Sequence, residues 1–153
     1  MKRLLLVGAA LMVLAAVPLA ANAQDEIVLE PVTIDVFGIQ AVAPEGWQPV
    51  GPGVVARASS ATDVALIAQQ SAPIPVGQLL QAVLPQLGLT EAPEPVGELT
   101  TDYLTWPLYQ VDVEAPVIGT VRVDVAMAQG IGASYTVMMQ ATGTSDARPF
   151  SNA

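Results

Sequence analysis

The sequence predicts an α+β domain: an antiparallel sheet of about seven or eight strands with one central helix, near residues 76–87, packed on it. Three observations predict it. Apolar and polar residues alternate with a period of two on both sides of the chain's middle, as where Val121, Val123 and Val125 interleave with Arg122 and Asp124. One stretch switches to the helical period, with Leu80, Val83, Leu84 and Leu87 at i, i+3, i+4 and i+7. That stretch stands between two blocks of strands and does not alternate with them, so the sheet is antiparallel and the helix is segregated.

The chain opens with a secretory leader. Lys2 and Arg3 form a positive start, residues 4–19 are almost wholly apolar, and Ala21-Asn22-Ala23 sets small residues before a cleavage point at Gln24. A membrane span needs roughly 20 apolar residues. This run is shorter, and Pro18 interrupts it just before the small-residue site. Residues 1–23 are therefore predicted to be a signal peptide and residues 24–153 one domain, located outside the cytoplasm and without stable membrane insertion after cleavage.

Within the domain, Val32, Ile34 and Val36 alternate with Thr33, Asp35 and Phe37, and residues 39–43 return as a hairpin partner across Gly38. Pro44-Glu45-Gly46-Trp47 is turn chemistry, with φ set at Pro44 and freed at Gly46. Residues 49–53, with two prolines and two glycines, are predicted as a loop. Residues 54–59 and 64–69 read as strands joined by a tight turn at residues 60–63. Pro85 should kink or shorten the helix, and Gly88 suits its end. An acidic, proline-containing linker at residues 91–95 follows. Residues 99–109 then read as two strands around Thr101-Asp102, with further strands through residues 111–114, 121–125 and 134–141. The last dozen residues are polar and small, the composition of a frayed end.

Composition excludes several functions. The chain has no His and no Cys, and its single Lys, Lys2, lies in the leader. Ser-His-Asp, Cys-His and Ser-Lys catalysis are thereby removed, as are thiol redox chemistry and disulfides. No lipid-anchoring Cys stands at the cleavage junction. With Lys2 and Arg3 gone, three arginines (Arg57, Arg122 and Arg148) face 14 acidic residues, a net charge of −11. Such a surface repels phosphate backbones and anionic lipid, so no nucleic-acid partner is expected.

The stretch Val42-Ala43-Pro44-Glu45-Gly46-Trp47 resembles the P-x-G-W turn of small secreted bacterial domains of the PsbP/Mog-like superfold. The acidic proline linker, the Thr105-Trp106-Pro107-Leu108-Tyr109 strand and a helix placed after the first strands are similar to the middle of those domains. The resemblance spans residues 27–141. It implies a domain that stands alone or precedes a hydrolase-type catalytic domain, and that itself lacks a catalytic site. It also implies a C-terminal helix packed on the sheet; Asp146-Ala147-Arg148-Pro149-Phe150 begins something similar before the sequence stops at Ala153, so either that helix is truncated or the family match is imperfect.

Carboxylates are the only abundant reactive groups. Asp112 and Glu114 share one face of a strand, and Asp124 falls on the matching face of its neighbour. The plain reading is a solvated sheet face with Arg122 opposite Asp112 or Glu114. Two carboxylates about 5–9 Å apart could instead serve glycoside hydrolysis, and three oxygen ligands could hold Ca²⁺, although no calcium-loop motif supports this. Trp47, Trp106 and Tyr109 are candidates for ligand stacking, against core packing. Trp106 and Tyr109 have opposite parity, so one of them faces outward.

The sequence thus points to a secreted, non-enzymatic binding or accessory domain with no cofactor and with a protein or small-molecule partner. The alternatives are the non-catalytic N-terminal part of a secreted α/β-hydrolase-type enzyme and a carboxylate-based Ca²⁺ or carbohydrate binder.

Overall fold

Nine strands and one α-helix form over residues 27–116 and 118–142, which the computed structural model describes. The strands are β1 (Leu29–Ile34), β2 (Ile39–Pro44), β3 (Gln48–Gly51), β4 (Val54–Ser60), β5 (Asp63–Ala72), β6 (Gly97–Thr100), β7 (Thr105–Ala115), β8 (Gly119–Gln129) and β9 (Ser134–Ala141). The helix α1 (Val76–Val83) follows β5. The fold is α+β, as predicted. The leader at residues 1–23 and the predicted C-terminal helix at residues 146–150 lie outside the described residues.

Seven strands form one antiparallel sheet in the order β3-β4-β5-β9-β8-β7-β6, and β1 and β2 form a separate hairpin. The two halves of the chain meet where β5 pairs with β9, from Ala65 opposite Ala141 to Ala72 opposite Ser134. That long-range pairing puts the C-terminal strand in the middle of the sheet. Thr142 secures its end: its backbone N–H donates to the Val64 carbonyl at 2.8 Å, and its hydroxyl accepts from the Val64 N–H at 3.1 Å.

Each face of the sheet has its own cover. Val123, Val125 and Met127 of β8 meet Leu79 and Val83 of α1, with Tyr109, Val113 and Met138 packed around them. Met127 is 1% exposed and Val83 is 2% exposed, so this contact is the centre of the core. The alternating valines therefore point inward and the interleaved charges outward, as their period requires. The buried line of the helix includes Leu79, outside the four residues that periodicity picks out, while Leu80 is only half-buried. Pro75 cannot cap the helix with a side chain, and Gln129 at the end of β8 does so instead, its Oε1 accepting the Val76 N–H at 2.8 Å. At Leu84–Leu87 the α-helix tightens into a 3₁₀ turn that carries Pro85 in its first positions, the shortening that proline imposes.

The β1–β2 hairpin packs over β5 on the other face. Gln69 Nε2 donates to the Val42 carbonyl and Ser71 Oγ to the Phe37 carbonyl, both at 2.7 Å. Gln69 and Ser71 alternate with Ala68, whose partner Met138 packs toward the helix, so the hairpin lies opposite α1. The chain turns between β1 and β2 through a 3₁₀ turn at Asp35–Phe37 and Gly38, at φ 63°. The strand alternation predicted through Phe37 therefore ends at Ile34.

Residues 49–53, predicted as a loop, are corrected. Pro49 and Gly51 belong to β3, which pairs with β4 (Gln48 opposite Ala56, Pro49 opposite Val55) with a register shift before Gly51. β3 is an edge strand, where a missing N–H is tolerated, so proline does not exclude a strand there. Gly53 then makes the turn at φ +68°. A Cβ at Gly53 would overlap the Gln69 carbonyl oxygen and lie 2.9 Å from the Phe37 ring, so this position needs both the backbone freedom and the missing side chain of glycine.

Candidate functional site

The carboxylates that the sequence singles out come together at the β6–β8 end of the sheet. β7 and β8 form a long hairpin whose register sets Asp112 opposite Arg122, Glu114 opposite Thr120 and Gln110 opposite Asp124. All six side chains therefore share one face, turned away from α1. Arg122 Nε donates to Asp112 Oδ1 at 3.0 Å, and its Nη2 reaches Oδ2 at 3.5 Å. Both side chains are more than half exposed, at 62% and 55%. The hydrogen bond to Asp112, then the attraction of its charge, raises the Arg122 pKa above the ordinary arginine value. Thr120 Oγ1 donates to Glu114 Oε1 at 2.5 Å. Asp124 differs: its Oδ1 is buried and has no hydrogen-bond partner among the described residues.

Each of these carboxylates has a structural occupation or stands apart. A general acid for glycoside hydrolysis holds its proton in an apolar pocket or beside a second carboxylate. Asp112 instead sits in solvent beside a guanidinium. Among the described residues, no group of three or more acidic side chains is placed to hold a metal ion. Asp112, Glu114 and Asp124 are thus brought onto one face without forming a common ligand shell.

The aromatic candidates are dispersed. Trp106 is half-buried on the carboxylate face, opposite Leu99 of β6, which is 43% exposed. Tyr109 has the other parity and joins the rim of the helix-side core. Trp47 is half-buried in the turn before β3, its N–H donating to the Pro44 carbonyl. β3 and β7 are five strands apart in the sheet, about 24 Å at ~4.8 Å per strand. Trp47 and Trp106 therefore share no site.

Two features escape the sequence reading. One is a cleft of about 420 Å³ between the β1–β2 turn and the β3–β4 turn, lined by Val32, Ile34, Val36, Pro49 and Val54 and carrying one carboxylate, Asp35. It depends on β3 being a strand, so reading residues 49–53 as a loop conceals it. The other is an open sheet edge. β6 pairs with β7 from Thr105 to Leu108, and the last bond between them runs from the Val96 N–H to the Leu108 carbonyl at 2.7 Å. β6 begins at Gly97, and no described backbone bond joins the residues before Val96 to β7. β7 nevertheless continues to Ala115, with β8 on one side and no described strand on the other. No local sequence signal marks this edge, because it depends on where β6 stops along β7.

No family model matches the chain, and no curated protein matches it.

Proposed function

We propose that the chain is a secreted, non-enzymatic binding or accessory domain that meets its partner through the β6–β8 end of the sheet. One observation carries this reading: that end combines a strand edge left open among the described residues with a face that Leu99 and Trp106 share with the carboxylates farther along β7. The hairpin is bonded to β5, at the far side of β8 and β9. The nearby carboxylates Asp112 and Glu114 are held by Arg122 and Thr120, which suits recognition better than proton transfer. The leader composition supports secretion, and the resemblance to PsbP/Mog-like domains supports an accessory role.

The test is a turnover assay of the purified protein with ester, peptide and glycoside substrates. The reading expects no turnover above buffer. Turnover that Asp112→Asn or Asp124→Asn abolishes overturns it.

A further inference from the structure

We propose that the outer edge of β7 over residues 110–115 is a strand-addition site for an extended peptide in which cationic and apolar residues alternate. The inference rests on the binding-domain reading and deepens it by specifying the partner's chemistry.

The backbone defines the site first. In an antiparallel strand the N–H and C=O of one residue point to the same side, and successive residues alternate sides. The Leu108 carbonyl points toward β6, where it accepts from Val96. The backbone groups of Gln110, Asp112 and Glu114 therefore also point outward, and those of Val111 and Val113 point into the ladder with β8. β6 begins at Gly97, opposite Leu108, so the chain's own strand does not run along these outward groups. The open stretch of about six residues spans about 20 Å, enough for a strand of ordinary length. An added strand would continue the line of β6 and use these groups for main-chain hydrogen bonds.

The side chains then select the occupant. Residues of an added strand opposite Asp112 and Glu114 share the face of those carboxylates. Each carboxylate has further lone pairs beyond its bond to Arg122 or Thr120. From residue 97 to residue 129 five acidic residues (Glu98, Asp102, Asp112, Glu114 and Asp124) face one basic residue, Arg122. Lys or Arg at alternate positions of the peptide complements that field. The intervening residues point to the helix side, beside Val111, which is 5% exposed, and Val113, which packs on the core cluster with Tyr109 and Leu87. Apolar side chains there extend the existing core.

The same charges argue against a second copy of the chain as the occupant. Antiparallel pairing of two β7 edges would set the Asp112 and Glu114 side chains of both copies on one face, and like charges directly opposite destabilise a sheet. The acidic edge thus blocks indiscriminate strand pairing while admitting a cationic strand.

The experiment uses the full-length protein and a synthetic peptide of about nine residues alternating Lys and Val. Calorimetry should give saturable binding that weakens at least about tenfold when Glu replaces Lys, and at least about fivefold between roughly 50 and 500 mM salt. Peptide binding should slow amide exchange at Gln110, Asp112 and Glu114 by about tenfold or more, and leave Val111 and Val113 unchanged. Gln110→Pro removes one outward N–H without touching the β8 ladder, and should weaken binding at an unchanged melting temperature. A peptide N-methylated at alternate residues should weaken binding in the same way, without altering the protein. The proposal falls if the Lys-Val peptide does not bind, if the Glu-Val peptide binds equally well, or if binding leaves those three amides unprotected. It falls too if the free protein is a dimer in which they are already protected. None of these outcomes produces turnover, so each leaves the non-enzymatic reading standing; conversely, turnover overturns that reading without touching these measurements.

Discussion

Replacing Gly53 by alanine should destabilise the fold more than the same change at any other positive-φ turn glycine among the described residues. Two contributions add. An L-residue at φ +68° costs about 1 kcal/mol. The new Cβ also meets the Gln69 carbonyl and the Phe37 ring, and the backbone must shift to relieve the overlap. That shift stretches the 2.7 Å bond from the Gln69 N–H to the Gly53 carbonyl, a net loss of about 1 kcal/mol, with about 1–3 kcal/mol more where buried polar groups lose partners. The sum is about 3–5 kcal/mol, a large share of the ~5–15 kcal/mol that holds a domain. The melting temperature should fall by roughly 10–20 °C, followed by circular dichroism. Gly46 is the control. Its φ is +80°, and nothing lies within 4 Å of a Cβ built there, so Gly46→Ala carries the backbone contribution alone. Equal losses in the two variants would refute the close approach at Gly53. Adding Phe37→Leu to Gly53→Ala should recover little, because the overlap with the Gln69 backbone remains; full recovery would assign the clash to the ring.

The core and the surface pair should respond in opposite ways. Met127→Ala opens a cavity at the centre of the helix–sheet contact and should cost about 2–5 kcal/mol in urea unfolding, with the half-buried Met138→Ala costing clearly less; the reverse order would misplace the core. Arg122→Gln removes a solvent-exposed ion pair and should leave the melting temperature within error of the unaltered protein at moderate salt. A drop of several degrees would mean that Asp112 and Arg122 brace the β7–β8 hairpin.

Much of the fold is legible because its signals are local. The valines of β7 and β8 declare their buried face by a period of two, and their register then selects Asp112 over Glu114 as the residue opposite Arg122, a choice the sequence leaves open. Leu84–Leu87 becomes a 3₁₀ turn because Pro85 removes a donor, which is readable from one residue. The misreadings have equally specific causes. Pro49 and Gly51 look like a loop because proline is judged by the donor it lacks, and only the position of β3 at an edge shows that none is needed. The 3₁₀ turn at Asp35–Phe37 is hidden because Val36 continues the apolar alternation of β1 by chance; it is 67% exposed.

The sequence by itself determined the absence of His and Cys, the alternation that makes the strands, the helix after β5 and the excess of carboxylates. These follow from residue type and spacing along one stretch of chain. Tertiary structure alone decided that β9 enters the centre of the sheet, that the hairpin and the helix pack on opposite faces, that Gln129 caps a helix more than fifty residues away, and that β7 outruns β6 and leaves its edge without a described partner strand. Those outcomes depend on pairings between distant segments, and no periodicity within either segment records its partner.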